Sequence, residues 1–67
     1  MTIGKSMKKI REECSLSRQQ LSKDTGLSVS SIRGYEIDYN EPGAHALCVL
    51  ADYYGVSVDE LMGRTIK

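Results

Sequence analysis

LSRQQLSKDTGLSVSSIRGYE, the stretch from Leu16 to Glu36, writes two helix starts eleven residues apart, at Leu16-Ser17 and at Leu27-Ser28. Each Ser is placed to accept a hydrogen bond from an unpaired backbone N–H of the first turn, and Gln20 stands three residues after Ser17 as the reciprocal half of a capping box. The apolar residue before each cap has a mate five positions on, Leu21 for Leu16 and Ile32 for Leu27, which is the spacing of a hydrophobic staple. Gly26 falls between the two segments, where a left-handed residue ends a helix without a Cβ clash. The corner Thr25-Gly26-Leu27 is therefore tight enough to fold both helices onto one core. A helix-turn-helix and an ordinary corner of a small helical bundle share these signals, and spacing leaves both open.

The flanks read as helix too. Ile3, Met7, Ile10 and Cys14 recur at spacings of four, three and four, one core-facing stripe of an amphipathic first helix. Its other faces carry Lys5, Lys8, Lys9, Arg11, Glu12 and Glu13. After Glu36 the segment IDYNEPG is rich in turn formers, and Pro42 marks the start of a fourth helix. From Ala44 to Tyr54 nearly every residue is apolar, with Leu47, Leu50, Ala51 and Tyr54 on one face, which predicts a central buried helix. Gly55 ends it, and Val56 to Leu61 repeats the staple and the Ser57–Glu60 capping box to begin a short fifth helix. No strand pattern, linker, repeat or low-complexity segment interrupts this order, so residues 1–67 are expected to form one all-α domain of five helices.

A chain of 67 residues buries only about 60% of its unfolded surface. A core of that size leaves no room for an enclosed active site, so no enzyme and no small-molecule substrate are expected. Nothing approaches the roughly 20 apolar residues of a membrane span, and the start MTIGKSMKKI lacks the apolar block of a signal peptide. A cytoplasmic protein without membrane contact is expected. Cys14 and Cys48 form no Cys-x-x-Cys pair and have only His45 for company, so no metal, disulfide or cofactor is expected and both thiols are read as small core hydrophobes. No Ser-His pairing suggests a catalytic nucleophile, no Gly-rich phosphate loop appears, and the tyrosines read as packing and rim residues.

Nine basic and nine acidic residues give no net charge, yet their order is uneven. Residues 1 to 33 carry seven Lys or Arg against three acids, a net of +4, and residues 34 to 67 carry two against six, a net of −4. Such asymmetry suggests that the first half meets a polyanion; a set of solvated helix faces explains it as well.

Taken together, Leu16-Ser17, Leu21, Gly26-Leu27-Ser28, Ile32, Tyr35-Glu36, Pro42, Leu47, Leu50-Ala51 and the closing Gly55-Val56-Ser57-Val58-Asp59-Glu60-Leu61 resemble the Cro and lambda-type repressor family, the Xre-type regulators. The resemblance covers residues 3 to 63 and implies a compact five-helix, lambda-repressor-like domain with its helix-turn-helix at about 17–36. It implies a sequence-specific regulator of transcription, a repressor without an effector domain, whose partner is operator double-stranded DNA. The third helix would lie in the major groove, with Val29, Ser30, Arg33 and Gly34 at base edges and Arg33 forming a bidentate contact with guanine. Arg18 takes the place of the glutamine by which relatives commonly anchor to phosphate, with Gln19 beside it as a second donor. Gly34 is unusual inside a helix: it either admits a close DNA backbone or loosens the last turn.

The departure from the family lies in Ile37-Asp38-Tyr39-Asn40-Glu41, where relatives often place basic residues and this chain places two carboxylates. Tyr39, Asn40 and the backbone amides of Gly43 and Ala44 remain to meet phosphate. Few cationic contacts imply modest affinity per protomer and a shallow salt dependence. A homodimer reading two half-sites would compensate, and Tyr53, Val58, Met62 and Ile66 are expected to form its interface, with closure of the core as the other reading of Val58 and Met62. The rival to DNA binding is a protein-interaction module of antitoxin or antirepressor type, with a protein partner gripped by the same fold.

Overall fold

Serine and threonine caps place four of the five helix starts in the computed structural model, which describes residues 2–64. The helices are α1 (Ile3–Glu13), α2 (Arg18–Thr25), α3 (Val29–Glu36), α4 (Ala44–Tyr54) and α5 (Val58–Leu61), with no strand among the described residues. Ser17 Oγ accepts the Gln20 N–H and Ser28 Oγ accepts the Ser31 N–H, each at 3.0 Å. Ser57 and Glu60 close a full capping box, with Glu60 N–H donating to Ser57 Oγ at 3.0 Å and Ser57 N–H to Glu60 Oε1 at 3.1 Å. The box expected at Ser17 is one-sided. The Gln20 amide instead donates to Asp24 Oδ1 at 2.8 Å, one turn further along the same helix face. Gly26 and Gly55 take the left-handed conformation at the ends of α2 and α4, with φ of +81° and +69°.

Every helix gives at least one residue to a single core: Met7 from α1, Leu21 from α2, Ile32 from α3, Leu50 and Ala51 from α4, Leu61 from α5. Burying side chains of this size stabilises by about 1.5–3 kcal/mol each. Ile3, Ile10, Leu27, Tyr35, Leu47, Tyr54, Val56 and Val58 pack around that centre. The core therefore exists only when all five helices are docked together, and the radius of gyration, 10.7 Å, matches the roughly 11 Å of a folded chain this long.

Three expectations need correction. Cys14 and Cys48 are both exposed free thiols, not core residues. Cys14 is the C-terminal cap of α1, one step beyond the packed turns, and Cys48 stands two residues from both Ala46 and Leu50, on the opposite side of α4. For the same reason α4 is buried on one side only, with Ala44, His45, Cys48, Asp52 and Tyr53 exposed. Its apolar composition exceeds what one face of a helix can bury in so small a domain.

Candidate nucleic-acid interface

α3 is eight residues long and packs its inner face, through Ile32 and Glu36, against α1 and α2. Its outer face stays open. Val29, Arg33 and Ile37 stand at successive four-residue steps, with Ser30 beside them, and all four are exposed.

The inner face holds a buried charge. The Glu36 side chain is 1% exposed and receives three N–H groups, from Arg11 Nε at 2.7 Å, Arg11 Nη2 at 3.0 Å and Arg18 Nε at 3.0 Å. The remaining arm of Arg11, Nη1, donates to the Leu16 carbonyl at 2.6 Å. One carboxylate thus joins α1, α2, α3 and the connection between the first two. The hydrogen bond to Glu36 raises the Arg11 pKa above its ordinary value and outweighs the opposing effect of burial. Arg11, expected on the outer face of α1, is buried. Its position four residues after Met7, on the core side of the helix, was the available signal. Arg18, expected at phosphate, has its Nε committed to Glu36 and its side chain 27% exposed. Gln19 next to it is exposed.

The loop after α3 is fixed from both sides. Tyr39 N–H and Asn40 N–H both donate to the Gly34 carbonyl, at 2.9 and 3.1 Å. Asp38 takes a left-handed φ of +60°, which aspartate tolerates better than most residues. Its carboxylate accepts the Thr2 hydroxyl at 2.7 Å and the Gly4 N–H at 3.1 Å. Thr2 Oγ1 in turn accepts the Lys5 N–H at 3.1 Å as the cap of α1. The charge of Asp38 is thereby placed at the positive end of a helix, a role that sequence reading missed. α1 comes so near that a Cβ on Gly4 would collide with the Tyr35 carbonyl and stand 2.6 Å from Asp38 Oδ1.

Gly34 has a different reason for lacking a side chain from either expected one. It is buried, and a Cβ there would lie 2.6 Å from Asn40 Nδ2, so the amide of Asn40 occupies the space over the helix. Gly34, expected at a base edge, is thus buried behind the Asn40 amide, unlike the exposed Val29, Ser30 and Arg33. Asn40, Gly34, Ser30, Arg33, Ile37 and Tyr39 line an open groove of about 220 Å³ along α3. Tyr39 is 81% exposed. Gly43 caps α4 without any side-chain hydrogen bond, unlike the Thr or Ser caps of the other four helices, and Gly43 and Ala44 are both exposed beside this loop.

Of the residues expected at a dimer interface, Tyr53, Val58 and Met62 lie among the described residues. The Tyr53 hydroxyl donates to Asp24 Oδ2 at 2.6 Å, which raises the Tyr53 pKa. Val58 packs against the core and Met62 is half-buried. Ile66 lies outside the described residues.

Comparison with known proteins bears on this arrangement. A family model described as Helix-turn-helix matches residues 7–61. Among curated proteins of Bacillus subtilis (strain 168), the chain is 28% identical over 64 residues to the HTH-type transcriptional regulator ImmR, covering 96% of this chain and 50% of that one. It is 36% identical over 59 residues to the uncharacterized HTH-type transcriptional regulator YobD, covering 88% and 53%. It is also 36% identical over 55 residues to the HTH-type transcriptional regulator AnsR, covering 82% and 47%. The chain thus spans about half the length of the curated relatives it matches. A crystal structure of a transcriptional regulator from Listeria innocua superposes with a TM-score of 0.84 at 22% identity, over 97% of this chain and 61% of that one.

Proposed function

This chain belongs to the helix-turn-helix family of Xre and Cro type, and from that premise we propose that it is a sequence-specific double-stranded DNA-binding regulator of transcription that reads the major groove with α3. The observation that carries the reading is the outer face of that helix. Val29, Ser30 and Arg33 are exposed on a helix whose opposite side is held by a fully buried carboxylate and by Ile32. Such a face is rigid and open, which is what base reading requires. Arg33 supplies two parallel donors for guanine, Val29 an apolar contact for a thymine methyl, and Ser30 an adaptable hydroxyl.

Phosphate contacts come from the flanks. The Nη groups of Arg18, the Gln19 amide, the Tyr39 hydroxyl, the Asn40 side chain and the uncapped amides at Gly43 and Ala44 meet the backbone on the two sides of α3. Gly34 makes room for Asn40 and touches no base. Two such domains on half-sites about 34 Å apart combine two modest contacts into one tighter event, and occlusion of a promoter then gives repression in the cytoplasm. No helix among the described residues is long and apolar enough to cross a membrane.

Selection of bound duplexes from a random pool tests the reading. A recovered motif whose binding is lost in Arg18→Ala plus Arg33→Ala, with helical content unchanged, supports it. Absence of any enriched duplex at low salt refutes it and leaves protein interaction as the use of this fold. Light scattering of the complex reports whether two protomers occupy the recovered site; one protomer per duplex at saturation removes the dimer.

A further inference from the structure

Two large apolar side chains remain bare at the end of α3: Ile37 is 51% exposed and Tyr39 is 81% exposed. Both line the groove that also holds Arg33, Ser30 and Asn40. The position of Ile37 is fixed, because its N–H donates to the Arg33 carbonyl at 3.0 Å and closes the last turn of the helix. Ile37 continues the outward line of Val29 and Arg33, so the exposed face of the helix runs apolar, cationic, apolar.

A phosphate chain offers nothing to an isoleucine. The apolar feature of the major groove is the 5-methyl group of thymine. Ile37 follows Val29 by eight residues, a rise of about 12 Å along the helix axis, so both ends of this outer face lie along one short stretch of the groove that admits the helix. We propose that Ile37 is a specificity-determining residue that receives the 5-methyl group of a thymine near the guanine read by Arg33, with the Tyr39 ring closing the side of the groove.

This inference rests on the DNA-binding reading and narrows it. The recognised half-site carries a thymine on each side of its guanine, one methyl against Val29 and another against Ile37. Discrimination at the second thymine comes from shape and desolvation, with no hydrogen bond involved.

The test uses the full chain and the duplex recovered by selection, with each thymine replaced in turn by deoxyuridine, which deletes only the methyl group. Binding is measured for the wild type and for Ile37→Ala, whose melting temperature checks that the surface substitution leaves the fold intact. One replacement is expected to weaken the wild type about four-fold, the effect of burying one methyl-sized group. That same replacement is expected to have no effect on Ile37→Ala, while the thymine over Val29 keeps its effect in both. The inference is overturned if no thymine shows the loss, or if every loss persists unchanged in Ile37→Ala. Failure of the wild type to bind any duplex overturns the DNA-binding reading itself, a separate and recognisable outcome.

Discussion

Replacing Arg11 by methionine keeps most of the apolar stem and removes all three of its hydrogen bonds, two to Glu36 and one to Leu16. Glu36 then stays buried with a single partner, Arg18 Nε. Stripping the main partner from a buried charge costs about 3–5 kcal/mol. A 67-residue domain has roughly 3–10 kcal/mol to lose, so Arg11→Met is expected to forfeit about a third or more of its stability. In a domain of this size the same loss lowers the melting temperature by at least about 12 °C. Arg18→Met removes a more exposed donor and is expected to cost about 1 kcal/mol or less. The double variant Arg11→Met/Glu36→Leu removes both charges and recovers most of that loss, because apolar groups of similar volume replace the buried pair and leave only Arg18 Nε and the Leu16 carbonyl, both partly exposed, without their partners. Urea denaturation followed by far-UV circular dichroism measures all four proteins. Raising salt to about 1 M changes the ranking little, since a buried pair is weakly screened. A cost below about 1 kcal/mol for Arg11→Met, or a double variant no more stable than the single one, refutes the assignment of Glu36 as the buried junction of the first three helices.

Other outcomes follow from particular contacts. Gly4→Ala drives a Cβ into the backbone of the loop after α3 and is expected to destabilise by about 1–3 kcal/mol; Gly34→Ala meets only the movable end of Asn40, so thermal unfolding stays within about 1 kcal/mol while DNA affinity falls. The Tyr54 hydroxyl is buried without a partner, so Tyr54→Phe is expected to hold or raise the melting temperature. Burial pushes the Tyr54 pKa up from 10.0 to about 12, which favours the neutral phenol in the folded state. Its contribution is complete below pH 10 and disappears as pH rises towards 12, so wild-type stability declines across that window more steeply than that of Tyr54→Phe. Arg33→Ala is expected to weaken binding to the selected duplex by about five- to 150-fold, with the loss concentrated at one guanine in a base-substitution series. A uniform loss across all sequences would place Arg33 on phosphate instead.

How far the chain could be read before folding depended on whether the signal was local. Ser17, Ser28 and Ser57 cap through bonds three residues away, and Gly26 and Gly55 act through their own φ, so helix starts and stops were visible in short windows. Ile32 and Leu61 were legible through staple spacing for the same reason. Contacts between distant segments were not. Asp38 reaches back to Thr2 and Gly4, Glu36 to Arg11, and Asn40 over Gly34. Arg11, Asp38 and Asn40 looked like surface or DNA-facing groups because their partners stood elsewhere in the sequence. The two cysteines show the opposite error. Cys14 continues the stripe of α1 but caps that helix one step beyond its packed turns, and Cys48 stands on the side of α4 away from Ala46 and Leu50. On the outer face of α3, Val29, Ser30 and Arg33 were named from the family resemblance, whereas Ile37 follows one step after the helix ends, outside the stretch that resemblance assigns to base reading.

The central claim is that the outer face of α3 meets the major groove. Backbone and side-chain NMR shifts, recorded while a selected duplex is titrated into isotope-labelled protein at low salt, test it most directly. The account predicts that Val29, Ser30, Arg33, Ile37, Tyr39 and Asn40 move together and saturate at one stoichiometry, while Cys48 and Asp52 on the outer side of α4 stay in place. Shifts confined to α4 and α5, or no shifts with any duplex, would contradict it.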